Sequence, residues 1–179
     1  MVHHSTSCNV FLIGLMAVGK TTVGRLLAEE LGMPFFDTDR VVEENAGADI
    51  AWIFDVEGES GFRDREAHVV DELTAREGVV LATGGGVVLR EENRRHLAER
   101  GTVVFLDSPI DRLIERTRRD RRRPLLQRGD ARATLERLAA ERAPLYQSIA
   151  DYHFCADRNS AKALAIEIAK RLRADGCAA

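Results

Sequence analysis

Residues 14–21 read Gly-Leu-Met-Ala-Val-Gly-Lys-Thr, the spacing G-x-x-x-x-G-K-[ST] of a phosphate-binding loop. The pattern constrains the fold because it needs a buried strand running into it and an amphipathic helix running out. Both are present. Val10-Phe11-Leu12-Ile13 is a continuous apolar run, as a strand covered on both faces requires. Beyond the loop Val23, Leu26, Leu27 and Leu31 recur at helical spacing, and Gly32 then Pro34 supply a stop. In this setting the glycines let backbone N–H groups curl around an anion, and the helix N-terminus adds roughly half a positive charge. Lys20 would reach the terminal phosphates of a nucleotide, and the Thr21 hydroxyl would ligate Mg²⁺.

The alternation of strand-length apolar runs with helical patterns continues, so the expected class is α/β with a parallel sheet. Pro34-Phe35-Phe36 reads as a short second strand ending at Asp37. Val79-Val80-Leu81-Ala82 and Val103-Val104-Phe105-Leu106 read as a third and fourth, and Tyr152-His153-Phe154-Cys155 as a fifth. Phe62, Val69, Val70 and Leu73 mark a helix, Ser108-Pro109 an N-cap with proline at the first helical position, and Leu164, Ile168 and Leu172 a last helix from near Ser160.

With 179 residues and no repeat or Pro/Ser-rich linker, one domain over residues 1–179 is expected. Hydrophobic residues at 45% and charged residues at 31% exclude a disordered chain. A net charge of -3 argues against coating nucleic acid or membrane by bulk attraction. No apolar run approaches the ~20 residues of a membrane span. Cys8, Cys155 and Cys177 are odd in number and lack metal-ligand spacing, so a reducing, cytoplasmic setting is expected.

Two sets of carboxylates could serve the metal. Val103-Val104-Phe105-Leu106-Asp107 has the form of an apolar strand ending in a metal-binding aspartate, although Asp107-Ser108-Pro109 is equally a helix start. Asp37-Thr38-Asp39 offers two carboxylates after the second strand. The pair is preferred, since phosphoryl transfer to an alcohol needs one group near the metal and one on the acceptor hydroxyl. Arg142 shares a helical stripe with Leu135 and Leu138, and Arg63 stands three residues before Glu66, itself on an apolar stripe. Inward arginines need an anion. An internal Arg63–Glu66 pair and a grip on a substrate carboxylate or phosphate both satisfy that need. Gly84-Gly85-Gly86 is either a tight turn or a place of close approach. The basic run from Arg118 to Pro124, continuing to Gly129-Asp130, admits a solvated surface, a nucleic-acid patch short of aromatics, or a lid bringing Arg123 onto phosphates.

The phosphate loop, Asp37-Thr38-Asp39, Phe62-Arg63-x-x-Glu66, Gly84-Gly85-Gly86, Arg123-Pro124-Leu125-Leu126 and Arg142-Ala143-Pro144-Leu145-Tyr146, in this order, make the sequence resemble the shikimate kinases from about Asn9 to Arg173. The resemblance implies a three-layer fold: a five-stranded parallel sheet, helices on both faces and a mobile lid at about 118–130. It implies transfer of the ATP γ-phosphoryl group to the 3-hydroxyl of shikimate, on the way to chorismate and the aromatic amino acids. ATP would be bound by Ala17, Val18, Gly19, Lys20, Thr21 and Thr22, with Arg123 from the lid and Arg158, beside Asn159, at the adenine. Thr21 and Asp37 would serve Mg²⁺. Asp39, Arg63, Gly85, Gly86 and Arg142 would bind shikimate, with Lys20, Asp39 and Arg123 catalytic, Glu66 orienting Arg63, and Phe54 and Phe62 as apolar walls. A monomer is expected. Ala17 departs from the glycine often found there, which bears on the detailed loop conformation. A kinase for another hydroxy acid, such as gluconate, and a nucleotide-dependent RNA-binding module are the rival readings.

Overall fold

The computed structural model describes residues 8–118, 129–157 and 159–178. Five strands, β1 (Val10–Ile13), β2 (Phe35–Asp37), β3 (Val80–Ala82), β4 (Thr102–Asp107) and β5 (Tyr152–Cys155), form one sheet in the order β2-β3-β1-β4-β5. Every pairing is parallel, with Phe11 opposite Leu81 on one side and Val103 on the other. Composition grades from centre to edge as burial requires. Central β1 is wholly buried and wholly apolar, whereas edge strand β5 alternates half-buried Tyr152 and Phe154 with exposed His153 and Cys155.

The helices among the described residues are α1 (Lys20–Leu31), α2 (Thr38–Ala46), α3 (Ile50–Thr74), α4 (Glu91–Arg100), α5 (Ile110–Arg118), α6 (Ala131–Ile149) and α7 (Ala161–Ala174). Helices α1 and α7 pack together on one side of the sheet, and α3, α4 and α6 form a second layer. The stops are local chemistry. Gly32, at φ 64°, turns its N–H back onto the Ala28 and Glu29 carbonyls and ends α1. Ser160 caps α7 through Ala163 N at 3.1 Å. Gly58, at φ 72°, breaks the helical run of α3 in two.

One expected cap does not form. Ser108 Oγ has no hydrogen-bond partner, and the Pro109 carbonyl accepts from Arg112 and Leu113 instead, so α5 starts after the proline. Helices α2 and α4 carry too few apolar residues to show in the pattern. Only Thr38 and Val42 of α2, and Asn93 and Leu97 of α4, are buried. A buried side chain the pattern also hides, Asn9, ties three strands at their amino ends. It donates to the Arg76 and Arg100 carbonyls and accepts from Val79 N.

All five strands point the same way, so their carboxyl ends share one edge. The chain leaves β1 toward β2 on one side and later fills β4 on the other, and the crevice at this reversal lies above β1. The phosphate loop, Asp37 and the glycine triplet all emerge there.

Candidate active site

The loop between β1 and α1 is shaped by backbone. Gly14 (φ 145°), Ala17 (φ 65°) and Gly19 (φ 101°) all have positive φ. A Cβ at Gly14 would overlap the Leu106 carbonyl of β4, so the loop lies pressed against the sheet. Gly19 precedes α1 with no side-chain cap, and the first turn holds no acidic residue. The first amides of α1 and its dipole are thus left for an anion. The buried Lys20 ammonium donates to the carbonyls of Gly14 and Leu15 at 2.7 Å each, which holds it across the loop. Beside Val18, Gly19 and Thr22 opens a cavity of about 280 Å³ whose further walls include Arg116, Asn159 and Leu164.

Of the two candidate carboxylates, Thr21 meets Asp37. Its hydroxyl donates to Asp37 Oδ2 at 2.5 Å. The other oxygen, Asp37 Oδ1, caps α2 by accepting from Asp39 N and Arg40 N at 3.0 and 3.3 Å. Capping locks the carboxylate so that its second oxygen faces the loop. Asp107 does neither job: it is exposed, accepts from Ser108 N, and lies 3.6 Å from His153 Nε2.

Across the crevice, α3, α6 and the β3 loop bring charged side chains onto the glycines. Arg63 Nη1 meets Glu66 Oε1 at 2.8 Å, with the two side chains only 11% and 1% exposed. Arg142 is 4% exposed. Each glycine makes room for a different neighbour. A Cβ on Gly84 would come within 2.6 Å of Asp39 Oδ1 and 2.9 Å of Glu66 Oε2. One on Gly85 would press Met16 N at 3.1 Å and Arg142 Nη1 at 3.4 Å, and one on Gly86 would overlap the Arg63 guanidinium. The triplet is therefore a surface against which the site's own charges pack, and it separates the phosphate loop from the arginines by one backbone thickness. Phe62 lies under Arg63 at 5.1 Å and packs against Phe54, tilted by 34°, at 4.9 Å between centroids, forming an apolar wall.

The electrostatics follow from burial. Desolvation pushes the Glu66 carboxyl above the ordinary carboxylate range, against the pull of the neighbouring Arg63 guanidinium. Arg63 Nε and Arg142 Nε are both buried without a hydrogen-bond partner. Arg63 pairs with buried Glu66 and, at 3.3 Å, with exposed Glu59, so Glu66 is the buried carboxylate beside two desolvated guanidiniums, which leaves a site suited to a small anion.

The family model for shikimate kinase matches residues 16–173. A shikimate kinase of Actinobacillus succinogenes is 56% identical over 161 residues, covering 89% of this chain and 92% of that one. One of Vibrio campbellii is 54% identical over 164 residues, covering 92% and 95%. The structure of shikimate kinase from Acinetobacter baumannii in complex with shikimate aligns with a TM-score of 0.91 at 45% identity, covering 94% of each chain. The chain belongs to the shikimate kinase family. The three-layer fold with a five-stranded parallel sheet, expected from the resemblance, is the fold observed.

Among the residues the resemblance assigns to a shikimate kinase site, Ala17, Val18, Gly19, Lys20, Thr21, Thr22 and Asp37 line the phosphate side. Asp39, Arg63, Gly85, Gly86 and Arg142 line the other side. Arg123 and Arg158 lie outside the described residues, as do residues 119–128 of the expected lid. Sequence reasoning missed Arg116, whose guanidinium donates to the Val18 and Ala156 carbonyls at 2.9 and 3.2 Å. It stands two residues before the basic run begins, and nothing in its neighbours sets it apart. Thr38 was missed as well: buried at the start of α2, its hydroxyl accepts from Gly84 N at 3.1 Å and pins the triplet.

Proposed function

We propose that the acceptor's carboxylate lies between Arg63 and Arg142 and that its 3-hydroxyl faces Asp39, across the glycine triplet from Lys20. The chain phosphorylates shikimate with ATP, the activity of its family, and so serves aromatic amino-acid biosynthesis. The observation that carries the placement is the pair of buried guanidinium Nε groups with no partner, since burying a cation with an unspent donor is unfavourable by several kcal/mol unless an anion arrives.

Phosphoryl transfer leaves little covalent chemistry to the protein, so positioning and charge neutralisation dominate. Lys20 and the first amides of α1 hold the terminal phosphates, and the nucleoside fits the cavity beside Val18 and Arg116. Asp39 accepts the hydroxyl proton or its hydrogen bond and aims the oxygen at the γ-phosphorus. Arg123 and Arg158 are assigned to the ATP phosphates and the adenine by resemblance, and the segment 118–130 is assigned the role of lid within a single domain over residues 1–179. Thr21 Oγ1 and Asp37 Oδ2 are hard oxygen donors suited to Mg²⁺, which keeps most of its shell as water and phosphate oxygens. When bound, that ion neutralises charge on the β- and γ-phosphates.

No helix among the described residues is long and apolar enough to cross a membrane. A cytoplasmic monomer acting on small molecules, without nucleic acid or membrane, agrees with the net charge of -3. An acceptor panel tests the proposal. ADP release should rise with shikimate and stay at background with gluconate or nucleoside monophosphates; stimulation by gluconate alone would refute the site assignment.

A further inference from the structure

Tyr146 stands one helical turn after Arg142 on the buried face of α6 and is itself 1% exposed. Its hydroxyl donates to the Gly85 carbonyl. Gly85 is also where Arg142 comes close: a Cβ there would stand 3.4 Å from Arg142 Nη1. The tyrosine ring stacks on Phe105 of β4 at 5.1 Å between centroids. Burial raises the phenol far above its usual range, with the Arg142 charge opposing, so the group keeps its proton and remains a donor. A tyrosine wanted only for packing would need a partner for its hydroxyl. Here the partner is the Gly85 carbonyl, on the glycine that Arg142 also approaches.

The consequence lies in the peptide plane. The Gly85 carbonyl and the Gly86 N–H belong to one rigid trans unit and point in opposite directions. Gly85 and Gly86 have no side chains to fix that plane by packing. Pinning the carbonyl toward Tyr146 therefore aims the Gly86 N–H away from that hydroxyl, at a glycine whose Cα is packed against the Arg63 guanidinium. We propose that Tyr146 is a positioning residue for the acceptor: through its hydroxyl it sets the Gly85–Gly86 peptide plane, against which the Arg142 guanidinium packs, and touches no substrate itself. The role rests on the placement of the acceptor between Arg63 and Arg142.

Tyr146→Phe removes the hydroxyl and keeps the stacked ring. The expected result is a shikimate KM raised roughly three- to tenfold, the size of one neutral hydrogen bond, with ATP KM unchanged. Parallel losses for both substrates, or a shikimate KM within about twofold of wild type, would overturn the role. Arg142→Ala run beside it separates the two claims. If Arg142→Ala leaves shikimate kinetics untouched, the acceptor placement falls and this inference with it; if it weakens shikimate while Tyr146→Phe does not, only the inference falls. Should Tyr146→Phe fail to fold, the two-tyrosine content offers a second measurement. In a Tyr152→Phe background, fluorotyrosine labels position 146 alone. Its ¹⁹F resonance should move on saturation with shikimate and stay put with ADP, and a resonance indifferent to shikimate contradicts the role.

Discussion

The two halves of the site are made of different material. The phosphate side is backbone: positive φ at residues 14, 17 and 19, the first amides of α1, and a lysine clamped by two loop carbonyls within six residues of itself. The acceptor side is side chain: Asp39, Arg63, Glu66, Arg142 and Tyr146 come from three helices and meet on three glycines from a fourth segment. A contiguous backbone cradle depends on local conformation, whereas a convergent side-chain pocket depends on the whole fold. Substitutions at the two ends should therefore fail in separable ways.

The largest effect is expected at the phosphate end. Lys20→Met should lower kcat on the order of a thousandfold by removing a preorganised charge from the transferring group. Shikimate binding, followed by calorimetry, should be nearly intact; loss of both would mean the halves are not separable. Next comes Arg142→Ala, which should lose roughly 2–4 kcal/mol in kcat/KM for shikimate, because it strips one charge from a buried constellation. Here ATP KM is the quantity that should hold still.

Glu66→Gln is predicted to be milder, about 1–2 kcal/mol in shikimate kcat/KM, since Gln can still accept from Arg63 without its charge. It carries a pH signature too. The folded Glu66 carboxyl is raised by burial, so the folded state binds more protons than the unfolded state between the ordinary carboxylate pKa and the raised one. Wild-type stability should fall as pH rises through that window. Denaturant titrations across pH should show Glu66→Gln lacking that part of the slope, and identical slopes would contradict the assignment. The smallest effect belongs to Ala17, the only non-glycine residue with positive φ among those described. Ala17→Gly should relieve about 1 kcal/mol of left-handed strain, partly offset by the greater freedom of glycine in the unfolded chain. A slightly higher Tm with unchanged shikimate KM is the outcome to look for.

The same division explains what could be read from the chain. The phosphate loop and strands β1, β3 and β4 were legible because a fully buried strand must be continuously apolar, and because the loop's chemistry is contiguous. Inward Arg142 was legible too, since a charge on the stripe of Leu135 and Leu138 is conspicuous. Which aspartate sits beside Thr21 was not decided by pattern. Asp107 ends a more convincing apolar run than Asp37, and only the geometry shows Asp37 locked by the cap of α2 with its free edge on Thr21. Arg116 and Thr38 stayed hidden because their partners are backbone carbonyls and amides far away in sequence, which leave no trace in residue type. The glycine triplet is both of the things its sequence allowed: the Gly84 carbonyl accepts from Val87 N at 3.2 Å in a turn with no positive φ, and each glycine lies where a Cβ would crowd a charged group.

The most direct test is a crystal structure of the chain with ADP and shikimate. The predicted result places the shikimate carboxylate between the Arg63 and Arg142 guanidiniums, with a ring hydroxyl on Asp39 and the ADP phosphates around Lys20. Shikimate seated elsewhere, with both guanidiniums bound only to protein groups, would contradict it.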